Sequence, residues 1–396
     1  MRRLMLLAVL AACGDDGAMT TDGGPGSDGA PADGAPSCNR VPAAADRTRY
    51  VVIARPYATG GGNANDYEVL SLSEGGTLAQ MTPPRLFSLG GRASSGTIEF
   101  TPDGKVGFVA FNEGGTIGIF SLADDGTPTV IDQGFDGAAY PGALRVDASG
   151  DTLWVVDRNT RNNGGGIYAL TINCDGTLTD RGLVAAARSP VGIAFRGSTA
   201  VIAARDLLDH EVLGDEVHLA DLGATPPVRI AGGDAFGDDD QVMTQFALSA
   251  DGNTAFVGDG NFSGVNRVGI ATITDASVTF AATLTDISDP GGLAVSPFGN
   301  VALVSAAQGN RLFQLDQGGA NNTWRKVQVT TTGGNPQIPA DMVSIDRGML
   351  RGHVWISENT SIRHVRFTPA GAVEDLGSLA FGSGLQNIPG AIGITP

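Results

Sequence analysis

The feature that most constrains this chain is a phrase that it repeats and then ends on. Ile388-Pro389-Gly390-Ala391-Ile392-Gly393-Ile394-Thr395-Pro396 closes the sequence. The same pattern stands at Tyr140-Pro141-Gly142-Ala143-Leu144-Arg145-Val146, Ser189-Pro190-Val191-Gly192-Ile193-Ala194-Phe195 and Asp289-Pro290-Gly291-Gly292-Leu293-Ala294-Val295. Aligning it brings Phe100, Val146, Phe195, Leu248, Val295, Ile345 and Ile394 into one column, at intervals of 46, 49, 53, 47, 50 and 49 residues. Each interval holds four short β-like runs and no amphipathic helix, the grammar of a four-stranded repeat rather than a helical solenoid. A chain that ends on the first strand of a unit must complete that unit elsewhere, and the N-terminal region, which begins in mid-unit, supplies the missing strands. The arithmetic predicts a closed ring.

One unit shows the pattern. An inner strand, Ala143 to Val146, is followed by a turn, a second strand from Thr152 to Val156, a loop, a third strand from Ile167 to Ile172, and an outer strand that starts at Thr177-Leu178. Turns such as Thr101-Pro102-Asp103-Gly104, Asp125-Gly126-Thr127, Cys174-Asp175-Gly176 and Ala250-Asp251-Gly252 supply the positive φ that tight hairpins need. Complete units start near Thr97, Ala143, Val191, Phe246, Gly291 and Asp341. The seventh joins the C-terminal strand to Tyr50–Ala54, Tyr67–Leu72 and the strand after Gly76. The predicted fold is an all-β, seven-bladed β-propeller with four-stranded blades, closed by the C-terminal strand joining the N-terminal blade, which hides inner strand edges that would otherwise invite aggregation.

Residues 1–12 read as an export signal: Met1-Arg2-Arg3 precedes an apolar run from Leu4 to Ala12 that is too short to span a bilayer. Leu10-Ala11-Ala12-Cys13 resembles the bacterial lipobox, so Cys13 is the expected lipidation site. Residues 13–37 form a Gly/Asp/Pro/Ser linker without the apolar surface that folding requires. Residues 38–48 lead into the propeller, residues 49–396. The expected location is the bacterial cell envelope, with the chain anchored by its lipid to the outer membrane and facing either the periplasm or the surface. The formal charge of -17, which becomes -19 once Arg2 and Arg3 are removed, excludes nucleic acid as the natural partner. A monomer is expected. Cys38 and Cys174 both map to the bottom of the ring, and in an oxidising compartment they are candidates for a disulfide.

Asp151-Thr152-Leu153-Trp154-Val155-Val156-Asp157-Arg158-Asn159, followed by Gly166-Ile167-Tyr168-Ala169-Leu170 and Asp175-Gly176-Thr177-Leu178, resembles the YVTN and lactonase-like seven-bladed propellers. The likeness runs through everything after Arg49 and implies, as an activity, the opening of a sugar-type lactone by activated water. No family catalytic residue maps onto this chain one by one.

The longest interval contains two acidic loops, 206–218 and 232–241, both on the top face, and the loop after Asp259 adjoins them. Asp209, Asp215, Asp234, Asp238, Asp239, Asp240 and Asp259 are candidate oxygen ligands for Ca²⁺, a hard cation that takes six to eight of them. The plainer reading is solvated acidic surface, and no other cofactor is expected. His210, His218 and Glu211 are the candidate acid–base groups. The top ends of the second strands present Arg55, Asn112, Asp157, Arg205, Asp259 and Glu358, which either contact a small polar ligand or bond to neighbouring loop backbones. Gly-x-Ser-x-Gly and His-Glu-x-x-His motifs are absent. The first expectation is therefore a ligand- or protein-binding scaffold without catalysis, and the alternative is a lactonase-like hydrolase.

Overall fold

Asp-Gly turns space the strands as the sequence predicts. Asp147 Oδ1 accepts the backbone N–H groups of Gly150 (2.8 Å) and Asp151 (3.1 Å), and Gly150 takes φ 79°. Asp175 and Asp251 repeat the device, with Gly176 at φ 87° and Gly252 at φ 72°. A short polar side chain satisfies the turn backbone while glycine adopts the left-handed conformation.

The computed structural model describes residues 38, 40–54, 67–90, 98–111, 115–133, 135, 140–158, 165–208, 216–237, 243–260, 266–380 and 390–396. The chain divides into two units, Met1–Ser37 and Cys38–Pro396, and every described residue lies in the second.

Seven antiparallel sheets follow in chain order. Blade 1 is Ile98–Phe100, Val106–Ala110, Ile117–Leu122 and Pro128–Gln133; blade 2 is Pro141–Val146, Thr152–Asp157, Gly166–Ile172 and Leu178–Arg188. Blade 3 is Gly192–Arg196, Thr199–Ala203, Val217–Asp221 and Val228–Gly233; blade 4 is Met243–Leu248, Thr254–Asp259, Arg267–Ile273 and Val278–Thr285. Blade 5 is Pro290–Val295, Ala302–Ala306, Arg311–Asp316 and Arg325–Gln328; blade 6 is Met342–Ser344, His353–Ser357, Ser361–Phe367 and Val373–Ala380. Blade 7 takes its inner strand, Ile392–Ile394, from the C-terminal end and the rest, Arg49–Ala54, Tyr67–Leu72 and Leu78–Phe87, from the N-terminal side. The closing register pairs Val51 with Ile394, Val52 with Gly393 and Ile53 with Ile392. The propeller is seven-bladed, and the C-terminal strand closes it.

Apolar alternation puts the core between blades. Seven buried clusters occupy the seven blade interfaces, including one that joins blade 7 to blade 1 through Val52, Tyr67, Phe100 and Phe120, and one that joins blade 6 to blade 7 through Trp355, Leu70 and Ile392. Trp154 packs on Phe195 across blades 2 and 3, and Trp324, one residue before its strand, packs on Phe256 across blades 4 and 5. Burial of these faces in close-packed contact is the principal stabilising term.

Two features refine the predicted pattern. Asp206–Leu207, expected to belong to a loop, is a short strand that pairs with Ala187 and Arg188 and makes blade 2 five-stranded. It covers part of an outer strand edge whose N–H and C=O groups would otherwise stay unpaired within the sheet. Residues 40–48 run beneath the ring. Cys38 is bonded to Cys174 in blade 2, Ala43 donates to the Pro102 carbonyl of blade 1, and the Met349 N–H of blade 6 donates to Asp46.

Candidate functional site

The inner strands line a central channel, and the repeat alignment sorts its wall into layers. One residue before the aligned column stand Glu99, Arg145, Ala194, Ala247, Ala294, Ser344 and Gly393. All sit at one height, since each pairs with an equivalent second-strand position, as Glu99 does with Phe108, Arg145 with Trp154 and Ala294 with Leu303. Small residues dominate this layer. Its two charges fall on neighbouring blades and meet, Arg145 Nη1 to Glu99 Oε1, at 3.4 Å. Burial raises the Glu99 carboxyl above its ordinary range, and Arg145 opposes the shift.

Three residues higher, the described residues of the layer are Gly142, Val191, Thr244, Gly291, Asp341 and Gly390. Glycines at three of these positions leave room in the channel, and Asp341 is the one acidic group. Its Oδ2 accepts the Ile392 N–H at 3.1 Å and its Oδ1 the Met342 N–H at 3.0 Å, so two backbone donors hold the carboxyl at the blade 6–blade 7 seam. Burial lifts its pKa to about 7, with the charge of Glu99 adding to the shift and the two N–H bonds opposing it.

Arg158, just past the second strand of blade 2, extends over Gly142 and crosses the upper channel. Its Nη2 donates to the Thr244 carbonyl at 2.8 Å and the Val191 carbonyl at 3.4 Å, linking blades 2, 3 and 4. Its Nε is buried without a partner, and burial alone lowers its pKa to about 10. Among the described residues no carboxylate pairs with it. Gln245 Nε2 and Thr244 Oγ1 secure the neighbouring rim by donating to the carbonyls of Gly291 (2.9 Å) and Pro290 (3.2 Å). Arg158, Asp341, Glu99 and Arg145 line one cavity of about 580 Å³. The channel therefore combines a carboxyl poised near neutrality with a guanidinium that no carboxylate among the described residues pairs.

The residues singled out from sequence have other fates. Arg55, Asn112, Asp209, His210, Glu211, Asp215, Asp238, Asp239, Asp240 and Cys13 lie outside the described residues. Asp157, Asp259 and Glu358 do top their second strands, but they are buried inside their own blades. Asp157 accepts the Tyr140 N–H, Asp259 pairs with Arg267 at 2.8 Å, and Glu358 pairs with Arg363 at 2.5 Å. Arg205 is exposed, and its backbone N–H donates to Arg188. His218 is fully buried: its Nε2–H donates to the Ala204 carbonyl and its Nδ1 accepts from Arg229 Nε. That ring is committed to the fold of blade 3. Asp234 caps Phe236 and Gly237 beside Glu216, whose pKa burial raises to about 7. Among the described residues no three His, Cys, Asp or Glu side chains form a group able to hold a metal.

The channel residues carry a signal that reading for local motifs does not detect. In the aligned columns, Asp341 and the Glu99–Arg145 pair are charges at positions otherwise held by small or apolar residues and Thr or Ser.

No protein-family model matches the chain, and no curated protein matches its sequence. Solved structures do match. The periplasmic gluconolactonase of Pseudomonas aeruginosa is 15% identical with TM-score 0.60, covering 88% of this chain and 99% of that one. The likeness is one of fold. A candidate 6-phosphogluconolactonase from Bacteroides uniformis, 14% identical with TM-score 0.63, covers 88% of this chain and 99% of its own. A hypothetical selenium-binding protein from Sulfolobus tokodaii matches at 11% identity and TM-score 0.62, over 89% and 93% of the two chains, so the scaffold alone does not choose the chemistry.

Proposed function

We propose that the channel opens a sugar-type lactone by hydrolysis. The observation that carries the reading is the Asp341 carboxyl, held near pKa 7 in the same cavity as the Arg158 guanidinium, which no carboxylate among the described residues pairs. Lactone opening needs a base that is partly ionised at neutral pH and positive charge where the carbonyl oxygen becomes an oxyanion. Asp341 takes a proton from water, and the resulting hydroxide equivalent adds to the lactone carbonyl. Arg158 stabilises the oxyanion. As the tetrahedral intermediate collapses, the bond from the carbonyl carbon to the ring oxygen breaks, and the ring oxygen receives the proton from Asp341. The product is a hydroxy acid, and the carboxylate base is restored. The fold shared with a gluconolactonase supports this reading, and the near-neutral carboxyl favours it over the non-catalytic binding role first expected from sequence.

Acid release from glucono-lactone, followed at constant pH against the uncatalysed rate, tests the proposal. Asp341→Asn is expected to lose about 10²–10⁴-fold in turnover. Wild-type protein that releases acid no faster than buffer, from this lactone and from its phosphorylated counterpart, sinks the reading.

Lipidation at Cys13 and an envelope location complete the proposal, on the sequence of residues 1–37. Labelling of the exported chain by a fatty acid, absent in Cys13→Ser, is the expected outcome; an unlabelled wild-type chain contradicts it.

A further inference from the structure

The channel has a second mouth. Second strands rise from the bottom of the ring, so Arg49, the first residue of Arg49–Ala54, marks the lower end, as does Arg347 beyond the inner strand Met342–Ser344. Both line the same cavity as Arg158, at the opposite end. Arg49 is only 1% exposed, and its Nε is buried without a partner, while its Nη2 donates to the Ala45 carbonyl. Arg47 joins them and grips the Pro396 oxygen through Nη2 (3.0 Å) and Nε (3.3 Å).

These guanidinium groups stand close enough that Arg347 lowers the pKa of both Arg47 and Arg49, after the larger effect of burial. Asp46 and Asp346 oppose the shift at Arg49, but Asp46 is turned to the Met349 N–H at 2.7 Å. Arg47 is taken up by the Pro396 oxygen, but among the described residues neither Arg49 nor Arg347 has a carboxylate within ion-pair distance. In a chain with 42 acidic residues against 25 basic ones, counter-charge is abundant, yet Asp46 and Asp346 act on Arg49 only from beyond ion-pair distance. Buried donors left unpaired and like charges held together are both costly, and both costs vanish when an oxyanion is bound.

We infer that the lower mouth is a binding site for a small anion bearing a carboxylate or phosphate group. The inference does not depend on the lactonase reading, because it rests on residues that the proposed reaction does not use.

Calorimetric titration of the full chain tests it, with inorganic phosphate and gluconate in separate arms and potassium chloride matched for ionic strength. Saturable binding of at least one anion is expected. Arg347→Gln, at a partly exposed position, is expected to weaken it by about tenfold or more. Arg158→Gln is expected to leave phosphate binding unchanged. Phosphate binding without gluconate binding identifies a phosphate ligand, and the reverse identifies a carboxylate. The inference is overturned if neither anion saturates, if potassium chloride reproduces the heat, or if Arg158→Gln removes binding that Arg347→Gln leaves intact.

Discussion

Gly142 and Arg158 occupy each other's space: a Cβ at position 142 would stand 2.4 Å from both Cδ and Nε of Arg158. The guanidinium crosses the channel and reaches Val191 and Thr244 because residue 142 has no side chain. Gly142→Ala must therefore displace Arg158. Loss of two hydrogen bonds from a charged donor predicts destabilisation of about 2–4 kcal/mol, read from denaturant midpoints. The same variant should lose lactone turnover along with Arg158→Met. A Gly142→Ala protein of unchanged stability and activity would mean that Arg158 has room to move without consequence.

Arg363 holds two buried carboxylates, Glu358 through Nε at 2.5 Å and Asp375 through Nη1 at 2.8 Å, and all three side chains are 3% exposed or less. Removing the cation strands both acids. Arg363→Ala is expected to cost about 3–5 kcal/mol by chemical denaturation, well beyond what a surface ion pair contributes. Arg366→Ala breaks the exposed pair with Glu374 and should cost less than about 1 kcal/mol.

His353 Nδ1 and His364 Nε2 lie 2.8 Å apart beneath the stacked ring of Trp355, whose Nε1 is buried without a partner. Burial, then His353 and Arg366, push the His364 pKa down to about 4. The unfolded chain thus binds more protons than the folded one between the ordinary histidine value and about 4. Stability from this site is present above pH 6.5 and is lost as pH falls toward 4. His364→Gln should shrink the drop in melting temperature between pH 7 and pH 5; an unchanged drop would assign acid sensitivity to other groups.

Much of the fold was legible because its information is local and repeated. Asp-Gly turns, period-two apolar runs and an inner-strand phrase every 46 to 53 residues suffice to count blades and to predict closure. Asp206–Leu207 escaped because a two-residue strand is defined by its neighbour, Ala187–Arg188, and not by its own composition. The candidate site was far less legible. Acidic loops stand out as dense clusters, whereas the channel collects scattered residues from three blades: Glu99 from blade 1, Arg145 and Arg158 from blade 2, and Asp341 from blade 6. Each is ordinary in its own stretch, and only the ring brings them together. Conversely, Asp259 stands out in sequence, but its charge is taken up by Arg267 within the same blade.

The pH dependence of kcat/KM for lactone opening tests the central claim most directly. With the Asp341 pKa raised to about 7, the base is protonated at pH 5 and ionised at pH 8, so wild-type kcat/KM should rise about tenfold per pH unit below 7 and level off above it. In Asp341→Asn the rise should disappear together with about 10²–10⁴-fold of the activity. An Asp341→Asn protein that keeps both the wild-type rate and the wild-type pH profile would contradict the account.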